Sequence, residues 1–320
     1  MKRLRFSAAF LCVLTAVLAC NFPGGGGSPT NEIPPPQLTQ TAAAATPPSA
    51  SPTATIMIPT VPPLTADMLR NGTYKLPQLG ETVTLTDGKF DRAISNEDLL
   101  HVALLDPIAF GDLNGDGAVD AAVLLSENEG GPGFLISVVA MLNAGGAPVQ
   151  SADRFIEDRA QINAMTVQNG RIVFNAILHG VNDSMCCPSF PVKETLQLRN
   201  NQLILIHFTS TPSGGSLREI ILTAPAQGAA VSGSIQVIGS VTVSPFENSL
   251  GYSIFDMGGN LLGSGPIMVA SAGMETPGTF NSLINVSAVP AGAVIRLEVS
   301  DLSAADGSIL AMDSVEFTVQ

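Results

Sequence analysis

Short strand-like segments separated by tight turns are the feature that most limits how this chain can fold. In residues 167–174, Asn169-Gly170 separates two runs of alternating apolar and polar side chains. Such a dipeptide supplies the positive φ angles of a two-residue hairpin turn. Residues 194–208 repeat the pattern around Asn200-Asn201. Ser95, with Asp98 three residues later, has the form of a short helix start. The sequence therefore predicts a mainly β, or α+β, protein.

The first 63 residues differ in composition from the rest of the chain. Lys2, Arg3 and Arg5 precede an uncharged run at residues 6–18. That run is shorter than a membrane span of about 20 residues, and a basic start followed by a short apolar run is typical of a secretory signal peptide. Residues 21–63 are mostly Gly, Pro, Ala, Ser and Thr. Such a segment buries too little surface to fold, so we expect a disordered linker.

The apolar run ends in Val-Leu-Ala-Cys at residues 17–20. This ending resembles the lipobox of bacterial lipoproteins, in which a small residue precedes an obligatory Cys. The resemblance implies that residues 1–19 are a lipoprotein signal peptide and that Cys20 carries a diacylglyceryl thioether. Two acyl chains hold a protein stably on a bilayer, so membrane lipid is a predicted partner, on the extracytoplasmic side of the cell membrane or outer membrane. The competing interpretation is an ordinary cleaved signal in which Cys20 is incidental.

Oxygen-bearing residues alternate along residues 112–120, a pattern that suits a hard cation. The predicted metal ligands are the side chains of Asp112, Asn114, Asp116 and Asp120 and the carbonyl oxygen of Ala118. Val123 stands where a full EF-hand carries a bidentate Glu, and the flanking residues look like strands. The loop is similar to the calcium loops of FG-GAP repeats, so we expect structural calcium. The competing interpretation is an Asp/Asn/Gly turn that needs no ion.

A second polar cluster, at residues 179–188, contains His179, Asp183 and the adjacent Cys186 and Cys187. Neighbouring Cα atoms lie about 3.8 Å apart, less than the usual disulfide span of about 4.4 to 6.8 Å, so a Cys186–Cys187 bond would be a strained vicinal disulfide. Two interpretations stay open. The cluster is either a structural loop, with a disulfide or two buried thiols, or a metal or thiol-based site.

The C-terminal region alternates strand-like runs with Gly, Asp and Pro turns. The predicted strands are residues 220–223, 235–239, 251–255, 267–270, 279–284, 293–300 and 314–319. Seven short strands of this kind favour a β-sandwich. The segments 221–225, 231–239, Pro245-Phe246-Glu247-Asn248, 256–263 and 303–308 also resemble the immunoglobulin-like domain of bacterial spore germination proteins. The region lacks the core Trp of antibody domains.

These patterns divide the chain into five parts. They are a signal peptide (1–19), a lipidated Cys20 with its linker (20–63), a β-rich domain with the Asp-rich loop (64–208), a short linker (209–217) and an immunoglobulin-like sandwich (218–320). The formal net charge of −13 makes nucleic acid an improbable partner, because both would be anionic.

No common catalytic motif occurs in the sequence. We therefore expect a non-catalytic, lipid-anchored extracytoplasmic protein that binds an envelope component, either a protein or a polymer. Two alternatives stay open. One is a hydrolase or thiol-redox protein that uses His179, Asp183, Cys186 and Cys187. The other is a sensory or germination-type accessory subunit.

Overall fold

A computed structural model describes residues 61–95 and 99–320 of the chain. The predicted signal peptide, Cys20 and nearly all of the predicted linker lie outside the described residues, as does the body of the helix predicted to start at Ser95. The described residues form one compact unit. Among them, no helix has both the length and the apolar character needed to cross a membrane.

The described chain is built almost wholly from strands, which confirms the predicted β fold. Helix α1 (Ala66–Arg70) comes first, and Thr65 caps it by accepting a hydrogen bond from the Met68 N–H. The strands that follow are β1 (Thr73–Lys75), β2 (Thr82–Thr84), β3 (Lys89–Ala93), β4 (Leu99–Gly111), β5 (Asp120–Asn128), β6 (Leu135–Asn143), β7 (Pro148–Asp158), β8 (Gln161–Gln168), β9 (Arg171–Leu178), β10 (Phe190–Arg199), β11 (Gln202–Ser210), β12 (Ile220–Ala224), β13 (Ala230–Val231), β14 (Ser234–Val241), β15 (Ser249–Asp256), β16 (Leu261–Ser271), β17 (Gly278–Asn285), β18 (Val294–Leu302) and β19 (Ile309–Val319).

The central region consists of two packed antiparallel layers. Strands β3 to β7 form one sheet in chain order, and β8 to β11 form the other layer. Side chains of both layers share one core, which includes Ala122 and Leu124 of β5 and Phe174 of β9. The opposite face of the first sheet packs under α1 and the β1–β2 pair, around the buried Tyr74. Strand β5 is therefore covered on both faces, which explains its unbroken buried run.

The C-terminal region is a sandwich whose two sheets share strand β16. Residues 269–271 of β16 pair with β17, and residues 261–268 pair with β15. The core between the sheets is aliphatic apart from Phe280 and Phe317. Strands lie at each of the seven predicted positions, and β13 is an additional short strand that pairs with β19. The predicted immunoglobulin-like sandwich is confirmed.

One short ladder joins the central layer to the sandwich. His207 and Phe208 of β11 pair with Asp313 and Met312 of β19, so a single sheet runs from β8 to the sandwich. Met312 belongs to the core of the central region although its strand belongs to the sandwich. The division into two domains at residues 209–217 stays a prediction, and this ladder crosses it.

Candidate functional site

The main candidate site is a cavity of about 530 Å³ where the β9–β10 loop meets β7, β10, β11 and the start of β19. We call it the Glu194 cavity. Its apolar wall comes from Leu178, Phe190, Leu205, Phe208 and Ile309, and its ionisable wall from Arg154, Glu157, His179, Asp183 and Glu194. Small-molecule sites combine an apolar lining with a few convergent polar groups in this way, at volumes of roughly 300 to 1,000 Å³.

Glu194 reaches the cavity from the core-facing side of β10. The alternation Val192, Glu194, Leu196, Leu198 puts its carboxylate in a row of core residues, and only 5% of the residue is exposed. No hydrogen bond from any residue that the structure describes reaches this carboxylate. Burial raises the pKa of Glu194 to about 7, against the opposing effect of nearby Arg154, and the negative charge of Glu157 adds to the rise.

Arg154 supplies the cation of the cavity. It also lines a second cavity, of about 740 Å³, which shares Leu205 and Ile309 with the first. Its Nε atom is buried and has no hydrogen-bond partner in the described chain. Buried polar atoms nearly always have partners, so the unpaired Arg154 Nε is unusual. The Glu194 carboxylate on the same cavity also has no hydrogen-bond partner among the described residues.

The loop after β9 is fixed by its own polar side chains. The Oδ2 atom of Asp183 accepts hydrogen bonds from the Gly180 N–H at 2.8 Å and the Ser189 N–H at 2.7 Å, and Oδ1 accepts from the Ser189 hydroxyl. These bonds, the Gly180 N–H above all, lower the pKa of Asp183. A disulfide joins Cys186 to Cys187, with Cα atoms 3.8 Å apart. The loop is therefore held without any ligand.

His179 also serves to hold the loop. Its Nδ1 atom lies 3.2 Å from Glu157 Oε2, and its Nε2 atom lies 3.1 Å from the Met185 carbonyl oxygen. The structure thus brings His179 and Asp183 to the same cavity wall. The cysteines are exposed and do not line the described part of that cavity. Both ring nitrogens face oxygen atoms of the protein, so neither is presented to a substrate.

The Asp-rich loop connects β4 to β5, which confirms that strands flank it. Asp112 Oδ1 and Oδ2 accept from the N–H groups of Gly115 and Gly117, at 2.6 and 2.9 Å. The Asn114 side-chain amide donates to Asp116 Oδ2, and Asp116 Oδ1 accepts from the Ala118 N–H. This last bond is the main reason that the pKa of Asp116 is lowered. The loop oxygens are thus directed at the loop's own amides.

Asp120 differs from the other predicted calcium ligands because it is fully buried. Its Oδ2 accepts from the Leu113 N–H and its Oδ1 from the Asn143 N–H, both at 2.8 Å. It therefore ties the loop to β6. Within residues 61–95 and 99–320, no group of three or more His, Cys, Asp or Glu residues is placed to hold a metal ion. Calcium at this loop stays a prediction.

The chain is therefore a β protein in which a two-layer β region is joined to an immunoglobulin-like sandwich, with a cavity at their junction. Residues 219–308 match the model of a family described as the immunoglobulin-like domain of bacterial spore germination. That match confirms the resemblance predicted for the C-terminal region, and such a domain fits a non-catalytic, accessory role. No curated protein matches the chain.

Glu194 was not among the predicted site residues, although its position in the sequence carries a signal. Val192, Leu196 and Leu198 have the alternating spacing of one buried strand face, and Glu194 occupies the same face. A carboxylate within an apolar row is rare unless it is paired or functional. Arg154 carried no comparable signal, because β7 has no clear alternation of burial.

Proposed function

We propose that this protein is a non-catalytic accessory protein, anchored by lipid outside the cytoplasmic membrane, which binds an envelope component in the Glu194 cavity. The observation that carries the proposal is the buried Glu194 carboxylate, which faces a cavity of ligand size with no partner in the described chain. Leaving such a group unpaired costs about 1 to 3 kcal/mol, so a ligand that pairs with it gains affinity.

The anchor is supported by sequence alone. The lipobox-like ending at Cys20 would place two acyl chains on the mature N-terminus, and the Pro- and Thr-rich segment would hold the folded part away from the bilayer. We expect the Cys20 lipid in mass spectra of the native protein and loss of membrane partitioning in Cys20→Ser. An unmodified N-terminus in the native protein would contradict the anchor.

Binding in the envelope is tested by photo-crosslinking in intact cells. Val181 lines the Glu194 cavity and is 62% exposed, so a photoreactive residue there reports on the occupant. Leu283, 74% exposed on the sandwich, is the matched control position. We expect an adduct from position 181 that position 283 does not give. The same adducts at both positions, or none at 181, would contradict the proposal.

A germination-type accessory or sensory role is a finer form of this proposal, and the family match at residues 219–308 favours it. In a sporulating host, deletion of the gene would then slow germination while leaving vegetative growth unchanged. Normal germination in the deletion strain would reject the germination-type role and leave the envelope-binding proposal standing.

A thiol-redox or hydrolytic role is the second candidate, because His179, Asp183 and the Cys186–Cys187 disulfide belong to one loop beside the cavity. The contacts of His179 with Glu157 and Met185 favour a structural role for the imidazole instead. Disulfide reductase activity that disappears in Cys186→Ser would support the second candidate against the first.

A further inference from the structure

Glu194 and Glu157 both line the Glu194 cavity. The negative charge of Glu157 adds to the raised pKa of Glu194, whose main cause is burial. Glu157 Oε2 already accepts from the His179 N–H at 2.8 Å, whereas its Oε1 has no hydrogen bond from any described residue. A positive charge close to a carboxylate favours its ionised form, so a cation in this cavity would stabilise both groups.

The cavity's own basic groups leave Glu194 without an ion pair, because His179 Nδ1 lies 3.2 Å from Glu157 Oε2 instead. Asp183 lines the same space, and its oxygens are occupied by Gly180 and Ser189. Arg154 makes no ion pair with Glu194 or Glu157 among the described residues, although its charge acts on Glu194. With carboxyl groups outnumbering guanidinium groups on the described wall, the cavity favours a positively charged occupant.

The other wall of the cavity sets the shape of that occupant. Leu178, Phe190, Leu205, Phe208 and Ile309 give a continuous apolar surface beside the carboxylates. A metal ion uses no such surface, and the carboxylates do not meet the spacing of a metal site in the described chain. An ammonium group on an aliphatic chain uses both walls, because it donates charge-assisted hydrogen bonds at one end and buries methylene groups at the other.

We propose that the Glu194 cavity binds an organic primary ammonium ion with an aliphatic chain, whose ammonium group donates to Glu194 and Glu157 while the chain lies on Leu205 and Phe208. This inference rests on the proposed function, for which it names the chemical class of the ligand. The ammonium group would be a terminal amine of an envelope polymer or protein, or a free small amine.

The test uses the purified chain and three probes of equal length: n-hexylammonium, 1-hexanol and hexanoate. Titration calorimetry near pH 8 keeps the probe amine and Glu194 ionised, since an alkylamine has a pKa of about 10. We expect saturable binding of n-hexylammonium, with 1-hexanol and hexanoate at least about tenfold weaker, because each lacks the positive charge.

Variants then locate the binding. Glu194→Gln keeps the shape of the side chain and removes its charge. We expect this variant to lower the affinity for n-hexylammonium by about 10- to 100-fold. Glu157→Gln should also lower the affinity for n-hexylammonium. This variant is the second test if Glu194→Gln does not fold. Glu247→Gln, an exposed carboxylate on the sandwich, is the control and should bind as the parent protein does.

The inference is overturned if hexanoate binds as well as n-hexylammonium, if no probe binds, or if Glu194→Gln and Glu157→Gln both bind like the parent. These results are separate from the crosslinking at Val181. An adduct at Val181 without amine binding rejects the ammonium ligand and leaves the proposed function standing. Amine binding without an envelope adduct leaves a small-amine site and rejects the proposed function.

Discussion

Phe208 of β11 lies directly opposite Met312 of β19, in the ladder that joins the central region to the sandwich. Both side chains are buried and belong to the same core. Phe208 also lines the Glu194 cavity, and so does Ile309 from the start of β19. The cavity therefore depends on the junction, and a change that loosens the junction should also open the site.

Replacing Phe208 with Ala should destabilise both regions together. Truncating a buried Phe typically costs about 3 to 5 kcal/mol. The chain has no Trp and its Tyr residues are Tyr74 and Tyr252, so single-tyrosine variants report each region separately by fluorescence. We expect both urea transitions to shift to lower concentration in Phe208→Ala. Phe246→Ala, at a 65% exposed position, is the control and should shift neither. A shift confined to the transition that Tyr74 reports would show that the two regions unfold independently.

Calcium should stabilise the chain through the Asp-rich loop. Extracellular sites of this kind bind with dissociation constants of roughly 10⁻⁴ to 10⁻³ M. About 10 mM calcium would then raise the free energy of unfolding by about 1 to 3 kcal/mol. Magnesium demands a stricter octahedral geometry, so it should have a smaller effect. Thermal unfolding with each ion measures the difference, and equal melting temperatures with and without calcium would reject the site.

Two Asp→Asn variants separate ion binding from loop structure. Asp116→Asn removes an exposed carboxylate and should abolish the calcium effect. It should destabilise the calcium-free protein only slightly, because the Asn side-chain oxygen can still accept from the Ala118 N–H. Asp120→Asn removes the buried acceptor of the Leu113 and Asn143 amides, and it should destabilise the calcium-free protein by about 1 to 3 kcal/mol. A calcium effect that survives Asp116→Asn would place the ion elsewhere.

The Cys186–Cys187 disulfide predicts that the folded part of the native chain has no free thiol. Alkylation without reductant should therefore leave the peptide that contains both residues unmodified, and alkylation after reduction should add two groups. Mass spectrometry of that peptide distinguishes the two states. Alkylation of the unreduced protein at either residue would support the thiol interpretation of the loop.

Local sequence signals were sufficient for the β class of the fold and for its hairpins. Asn169 and Asn200 have φ angles of 51° and 48° in the turns that their Asn-Gly and Asn-Asn pairs predict, and the seven predicted strands of the sandwich lie where alternation puts them. Helix α1 was missed because five residues carry too little periodicity to stand out. Short-range pattern is thus enough for hairpins, whose two strands are neighbours in sequence.

The candidate site could not be predicted from local sequence signals in the same way. Its walls come from β7, the β9–β10 loop, β10, β11 and the start of β19, and Ile309 is more than a hundred residues from Glu194. Ile309 reaches the cavity because β11 pairs with β19, in a ladder of only two residue pairs. No turn or alternation marks such a long-range pairing, so the sequence pointed to the loop residues His179 and Asp183 and left out Glu194.

Glu194 should make the stability of the chain fall as pH rises from about 4.5 to about 7. The unfolded chain releases this proton near the ordinary pKa of 4.5, whereas the folded chain holds it until about 7. The folded state thus loses up to about 3 kcal/mol across that window, and above it the loss is complete.

Arg154, Glu157, His179 and Asp183 also face the cavity, so the measured quantity is the difference from Glu194→Gln. Chemical unfolding at several pH values should show this variant gaining stability relative to the parent as pH rises, and a constant difference would mean that Glu194 titrates as an exposed carboxyl group does.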